Sequence, residues 1–464
     1  MSGDSENRDW MSYDDLVSAS NQFFRRNKGC KVQTTANMIA NLRPYAATIE
    51  RFANQAYPVI HECCVQLLAD FLEHKREHGS SVERACYEGM AVAGLLDRLV
   101  RKRPLAFLTA VDSWLTKDGE HGAGGWGEVG TEQQGAAHPA LTLDTFLSYD
   151  EVKLAALLQL SAPSVTINSG GRDNVGRAAA PGTFLDTAVY VGAVGARFEV
   201  AGRMEYQDML VTRRQNTAEA GYGDRNDTDT LLKIFAKFYG KNNFSTYDEA
   251  TKCSELFKAT DFSGSKLLDV EVYTKRIQVT AETFLLEAEH RGSVEDRAVY
   301  CHVVGLGLGV WQTCAEQGEY FLRAWVRALQ QLTLPHVKTI NFSWIAKSKN
   351  SHLFDEVTKR GVDVVFSRRD PFDLEVGSAK DELVVAMFAW DGNSYVGNEY
   401  WQGLLSASGD PAAASCSTIP ELLNPDINTA NVCGSNTRVA SRSRGLVHLQ
   451  QYLEQYHDTD NTKL

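Results

Sequence analysis

Apolar positions recur at helical spacing early in the chain and at strand spacing late in it. Leu67, Leu68, Phe71 and Leu72, then Leu95, Leu96 and Leu99, fall every three or four residues, as on one face of a helix. Few β-branched runs interrupt this part, and Pro104 follows the basic turn Arg101-Lys102-Arg103. Residues 1–120 therefore read as an N-terminal helical region. GAGGWGEVG at Gly122–Gly130 reads by composition as a flexible connector. Ser148 is followed three residues later by Glu151, with apolar positions at 154, 157, 158 and 160, which predicts a capping box opening an amphipathic helix. Short strands follow over Ser164–Asn168 and Ala188–Val194. Residues near 215–280 are polar except for a helix at Leu231–Tyr239, and read as an insertion.

Beyond 280 the pattern is most regular. Phe284-Leu285-Leu286 begins a helix, and AVYCHVV at Ala298–Val304 is an uncharged strand of the kind buried on both faces. Phe321, Trp325, Leu329 and Leu332 share a helix face. Val337–Ile345, Val362–Ser367 and Leu383–Trp390 read as further strands. Strands alternating with helices predict an α/β fold whose mixed, mostly parallel sheet is covered on both sides. The main domain is expected over 121–435, and 436–464 reads as one short helix, Leu446–Tyr456, with a polar end.

Charge and cysteine usage narrow the function classes. The net charge of -12 leaves no basic surplus to neutralise nucleic-acid phosphates, so no nucleic-acid partner is expected. The nine cysteines are odd in number and scattered, with no CxxC pair, which suits a reducing compartment rather than a disulfide or zinc framework. Met1–Trp10 is polar and acidic, unlike a signal peptide. No apolar run approaches the roughly 20 residues that a membrane helix needs. The expectation is a cytoplasmic chain with no membrane attachment.

Four motifs offer chemistry. Gly305-Leu306-Gly307-Leu308-Gly309-Val310-Trp311 follows the uncharged strand Ala298–Val304 and is expected to precede a helix. Ligands of open α/β sheets bind at the carboxyl ends of strands. Glycines there let amide N–H groups approach an anion, so a diphosphate is the natural guest. The alternative is a close-packed turn without a ligand. In Ile167–Asn174, Asn168 suits a ribose hydroxyl, with Arg172 and Asp173 beside it, but the same residues favour an Asx turn. Arg197, Glu199 and Glu205 lie within nine residues, the two carboxylates serving as an acid–base pair or in surface ion pairs. Trp390–Trp401 ends an apolar strand with Asp391, Asn393, Ser394, Asn398 and Glu399, beside aromatic rings for a base or ribose. Ser408–Ala412 reads as a loop, and Cys416 reads as a buried thiol rather than a nucleophile.

Taken together, VTINSGG at Val165–Gly171, VGAVGARFE at Val191–Glu199, MEYQDMLV at Met204–Val211, HVVGLGLGVW at His302–Trp311, NFSWI at Asn341–Ile345 and AWDGNSYVGNEYW at Ala389–Trp401 resemble a divergent macrodomain family that includes bacterial effectors removing ADP-ribose from arginine. The resemblance covers roughly residues 100–435. It implies a macrodomain-like three-layer α/β/α sandwich, with the turn containing Gly305, Gly307, Gly309, Val310 and Trp311 cradling a diphosphate and Asn168 near the distal ribose. Ser343 joins the expected ligand contacts. The implied reaction cleaves the N-glycosidic bond between ribose and an arginine guanidinium, with a carboxylate stabilising an oxocarbenium-like transition state or activating water. The candidates are Glu399, Asp391, Glu205 and Glu199, in that order. The expected partner is ADP-ribose or an ADP-ribosylated protein, and no metal or other cofactor is expected. The competing reading is a non-catalytic ADP-ribose reader, and an NAD-using transferase ranks last.

Overall fold

In the computed structural model, residues 10–223, 230–260, 263–347, 354–374, 381–405 and 409–459 are described; the expectations for Met1–Asp9 and Ser408 lie outside them. One large sheet organises the chain. Its strands are β1 (Tyr57–His61), β2 (Leu158–Val165), β3 (Thr187–Ala193), β4 (Val299–Val304), β5 (Val337–Ser343), β6 (Asp363–Ser367), β7 (Leu383–Ala389), β8 (Arg438–Ser441) and β9 (Gly445–His448). They lie in the order β6-β5-β4-β7-β3-β2-β1-β8-β9. From β6 to β3 every pairing is parallel. β2 runs antiparallel to both β3 and β1, β8 is parallel to β1, and β9 closes as a hairpin on β8.

The uncharged runs become the central strands because they must bury both faces. All of β2, and all of β7 but its last residue, are buried. Side chains alternate across a strand, and β2 shows what lies on each side. Ser161 donates to Glu287 at 2.5 Å and Gln159 to the Thr280 carbonyl at 2.8 Å, both on the helix Val270–Glu295. Ser164, on the other side, bonds Thr418 at 2.9 Å. Helices therefore cover both faces.

The helix Val270–Glu295 is 26 residues long, about 39 Å at the usual rise per residue. The Asp269 side chain caps its start by accepting the Val272 amide at 3.1 Å. It is buried almost all round, including Arg276, Glu282, Glu287 and Arg291. Charges survive there because each has a partner; Arg291 bonds Glu287 at 2.6 Å, and Tyr57 Oη adds a bond to Glu287 at 3.0 Å.

Several elements differ from the sequence reading. The N-terminal region is not wholly helical. Its residues 57–61 are β1, in the interior of the sheet, and Ala106–Leu108, Ser113–Leu115 and His121–Ala123 form a separate small sheet. The glycine-rich stretch after it is no free connector, because Trp126 is fully buried, donates to the Leu147 carbonyl at 3.1 Å and stacks on Phe107. The Ser148–Glu151 capping box is present, but its helix stops at Ala155 and β2 starts at Leu158. The long helix starts at Val270, ahead of the expected Phe284, and so ends the insertion earlier. The tail contributes β8 and β9 before its helix, Leu449–Thr459.

Candidate active site

Because β3, β4, β5 and β7 are parallel, their carboxyl ends share one edge. The turns that follow them carry most of the chemistry the sequence singled out. After β3 the chain runs through Gly195 to Arg197 and Glu199; after β7 it runs through Asp391, Asn393 and Asn398 to Glu399. Gly195 lies so close to the turn after β4 that a Cβ on it would stand 2.8 Å from the Gly307 nitrogen. The β3 and β4 turns are thus in direct backbone contact.

In the β4 turn, Gly307 takes φ +72, a conformation glycine adopts without a Cβ penalty. The Leu306, Leu308 and Gln312 amides are committed to turn bonds. Among the described hydrogen bonds, none uses the amides of Gly307, Gly309, Val310 or Trp311. Gly309 and Val310 are exposed, whereas the Trp311 ring is buried. The expected helix does not follow at once. It begins at Gln317, whose side chain accepts the Thr313 amide at 2.7 Å and reaches the Gly307 and Trp311 carbonyls. A helix N-terminus therefore braces the turn rather than opening directly from it.

The β7 turn is held by two buried arginines. Arg103 stacks on Trp390 and donates to the Gly392 carbonyl at 2.6 Å. Burial, and then Arg197 nearby, push its pKa down to about 9. Arg197 donates to Asn393 Oδ1 at 2.6 Å and to the Asp391 carbonyl at 3.4 Å. Glu205 grips Arg197 from behind with bonds of 2.8 and 3.1 Å, and Arg276 stands 3.5 Å away. Against the effect of burial, Arg197 and Arg276 hold the Glu205 carboxyl below its ordinary pKa. The structure thus assigns Glu205 to a buried ion pair, not to the acid cluster, because a carboxylate clamped by two cations has neither a free lone pair nor a proton to exchange.

Four carboxylates do converge. Asp391 accepts from Asn398 Nδ2, whose Oδ1 in turn accepts the Phe107 amide at 2.9 Å. Asp410 Oδ1 accepts the Gly397 amide at 2.7 Å. Glu199 accepts from Thr109 Oγ1. Burial, then Glu399 and Glu199, push Asp391 up to about 7. Burial and Glu199 raise Glu399; burial, Asp391 and Glu399 raise Asp410 well above the carboxylate range. Oε2 of Glu399 and Oδ2 of Asp410 are buried without a hydrogen-bond partner among the described residues. Asp391, Glu399 and Asp410 cannot all be ionised so close together away from water, so these three share protons near neutrality, while Glu199 is exposed to solvent. Such a cluster can donate a proton, stabilise a cation and attract a guanidinium.

Asp410 and Thr109 were not among the sequence candidates. Asp410 hides in Gly-Asp-Pro, which resembles a turn but opens the helix Gly409–Cys416. Its visible signal is an acid at the start of the helix that follows the β7 turn.

The remaining candidates are more scattered. Asn168 is tied into its own turn: Nδ2 donates to Asn174 Oδ1 and the Arg177 carbonyl, and Oδ1 accepts the Gly170 amide. That is the Asx arrangement rather than a free ribose ligand. Its loop reaches the helix Gly409–Cys416 through Asn174, which donates to the Ala412 carbonyl at 2.9 Å, and through the Ile167 amide on the Cys416 carbonyl at 2.8 Å. Arg172 and Asp173 are exposed on that loop. Ser343 is buried and donates to the Arg369 carbonyl at 2.6 Å. Ser394 is buried with its hydroxyl on the Tyr395 carbonyl. Cys416 is fully buried, its thiol on the Ala413 carbonyl.

Comparison with known proteins bears on this geometry. Residues 14–455 match the family model described as ADP-ribosylhydrolase MavL-like. Two proteins of Drosophila melanogaster, both named ADP-ribosylarginine hydrolase, are similar over most of their length. One is 38% identical over 416 residues, 86% of this chain and 80% of the relative. The other is 33% identical over 423 residues, 88% of this chain and 83% of the relative.

Proposed function

Because the chain belongs to the MavL-like ADP-ribosylhydrolase family, we propose that it removes ADP-ribose from modified arginine by cleaving the bond between ribose and guanidinium. The observation that carries this reading is the cluster of Asp391, Glu399, Asp410 and Glu199, with two buried carboxylate oxygens unpartnered. The glycine turn after β4 supplies amides for the diphosphate, and the ribose then extends toward the β7 turn. We read the two-sided sheet with this turn at its carboxyl edge as macrodomain-like.

Each residue has a part in that scheme. The guanidine is a poor leaving group until it is protonated, and a carboxyl of the cluster that holds a proton near neutrality can secure it. As the bond lengthens, positive charge grows on the ribose ring, and an ionised neighbour stabilises it. Asn398 fixes the Asp391 carboxylate against the Phe107 backbone, and Arg197 with Glu205 holds the turn that presents it. A reader that only binds ADP-ribose has no use for several acids crowded and dry at the ribose end, where they would repel the ligand's own anionic groups.

The test is release of free ADP-ribose from an arginine-ADP-ribosylated peptide. Wild-type protein releases it. Asp391→Asn, Glu399→Gln and Asp410→Asn each lower kcat by about 10²–10⁴-fold, the usual range for a lost acid or base, with ADP-ribose binding retained by calorimetry. A wild-type protein that binds ADP-ribose and never frees it from arginine overturns the hydrolase in favour of a reader.

A further inference from the structure

A second reactive arrangement lies at the carboxyl end of β1 and shares no residue with the acid cluster. His61 ends β1 and caps the 17-residue helix Glu62–His78, its Nδ1 accepting the Cys63 amide at 3.2 Å. The same Nδ1 lies 3.0 Å from Cys63 Sγ. A nitrogen that accepts a backbone N–H carries no proton of its own, so in the neutral ring the proton sits on Nε2 and is donated to Glu282 at 2.9 Å. Glu282 is itself fixed by Arg442 at 2.7 and 2.9 Å and by Gln278 at 2.7 Å. Thiol, imidazole and carboxylate therefore stand in line: when the ring takes the thiol's proton, Nδ1 gives up the Cys63 amide and donates to the sulfur instead, while the acid holds the ring.

The surroundings favour the resulting anion. Cys63 lies in the first turn of its helix, where unpaired amides and the helix dipole stabilise negative charge. Lys275 of the long helix and Arg442 of the β8–β9 turn are cations near the sulfur. The acids Glu62 and Glu282 are each engaged with Arg442. Cys64 next to it is fully buried, whereas Cys63 keeps part of its surface open. The Cys64 thiol first, and then His61 against the effect of burial, draw Cys63 down to about 5; against burial, Cys63 and Glu282 hold His61 up to about 9. A merely structural histidine would explain the Glu282 bond and the helix cap. It does not require a thiol 3.0 Å from the same nitrogen.

We propose that Cys63 is an oxidative modification site, a thiolate set up by His61 and Glu282 to react with hydroperoxides. The Cys63 thiolate attacks one peroxide oxygen, an S–O bond forms and the O–O bond breaks. Sulfur is oxidised by two electrons and the peroxide is reduced. The departing hydroxide or alkoxide takes the proton that the His61 ring had accepted, leaving a sulfenic acid and water or an alcohol.

The whole chain is alkylated with iodoacetamide across a pH series, and peptide fragment ions separate Cys63 from Cys64. From about pH 6.5 to about pH 8.5 an ordinary thiol speeds up about 50-fold, following its thiolate fraction. Cys63 is expected to change by less than about threefold, and at the acid end to react about tenfold faster than the exposed Cys253. Limiting hydrogen peroxide followed by dimedone should mark Cys63 first. His61→Asn keeps a good helix cap and removes the base, so it restores the steep pH dependence; if that variant does not fold, the wild-type profile decides alone. A Cys63 rate that climbs with pH like an ordinary thiol, or dimedone label absent from Cys63, overturns the proposal.

Discussion

Glu399 disfavours the ionised form of the buried Asp391 carboxyl, and Glu199 adds to that effect from the protein surface. Asp391 is pushed up to about 7 by burial and by these neighbours, so it holds a proton below that pH and loses it above. If that proton serves the leaving guanidine, kcat/KM for arginine-linked ADP-ribose falls as pH rises through about 7. Glu199 raises both Asp391 and Glu399. Glu199→Gln therefore moves that limb to lower pH, by up to about one unit, in a pH–rate series; a profile flat across neutrality removes the shared-proton reading. Glu205 has the opposite character. Glu205→Gln leaves Arg197 buried and unbalanced, which costs about 3–5 kcal/mol for such pairs and is read as a lower denaturant midpoint. Full stability with all activity lost would instead make Glu205 catalytic. Asp391 and Glu399 were legible in the sequence because a wholly apolar strand ends just before them, which puts them at a carboxyl edge. Glu205 was not, since nothing in its local sequence shows that Arg197 folds back over it. Asn168 was equally opaque, because its two fates differ only in which partners its amide meets.

At the scale of elements, the site depends on turns that touch each other. Gly195 has no room for a side chain against the backbone of the β4 turn. Gly195→Ala therefore displaces the Gly305–Trp311 turn, at about 1–3 kcal/mol of strain for such overpacking. The expected signature is weaker ADP-ribose binding in calorimetry, with kcat at saturation changed far less, since Asp391, Glu399 and Asp410 all lie beyond β7. Unchanged affinity would mean that this turn does not hold the diphosphate. The parallel strands were readable from their uncharged runs, and β3, β4 and β7 lie within one residue of their expected bounds. β1 was not, because it is short, lies between helices and contains Pro58, a residue that argues against an interior strand. β8 and β9 have only four residues each, too few for alternation to stand out. The helix over 148–160 was overrun because Leu157, Leu158 and Leu160 satisfy a helical and a buried-strand pattern equally well.

Across the whole molecule, the two ends of the chain are structural parts of the sheet and its cover. Asn37 donates to the Ala414 and Ser417 carbonyls, and Glu421 receives Ser20 Oγ at 2.5 Å and the Ile39 amide at 2.7 Å. A chain ending at residue 435 loses β8 and β9 and leaves one edge of β1 unpaired. Such a truncation is expected to unfold without a cooperative transition in circular dichroism, and a sharp transition at the full-length temperature would show that the ends are accessory. The place of β1 has a further consequence for synthesis. Val59 is flanked by Gln159 on one side and Arg438 on the other. The first of these neighbours leaves the ribosome long before the second. Until then the nascent chain presents an open strand edge, the kind of surface on which chains join one another. Crowded polysomes making this protein are therefore the setting in which it most needs a chaperone, and its yield should respond to chaperone supply more than to the stability of the finished fold.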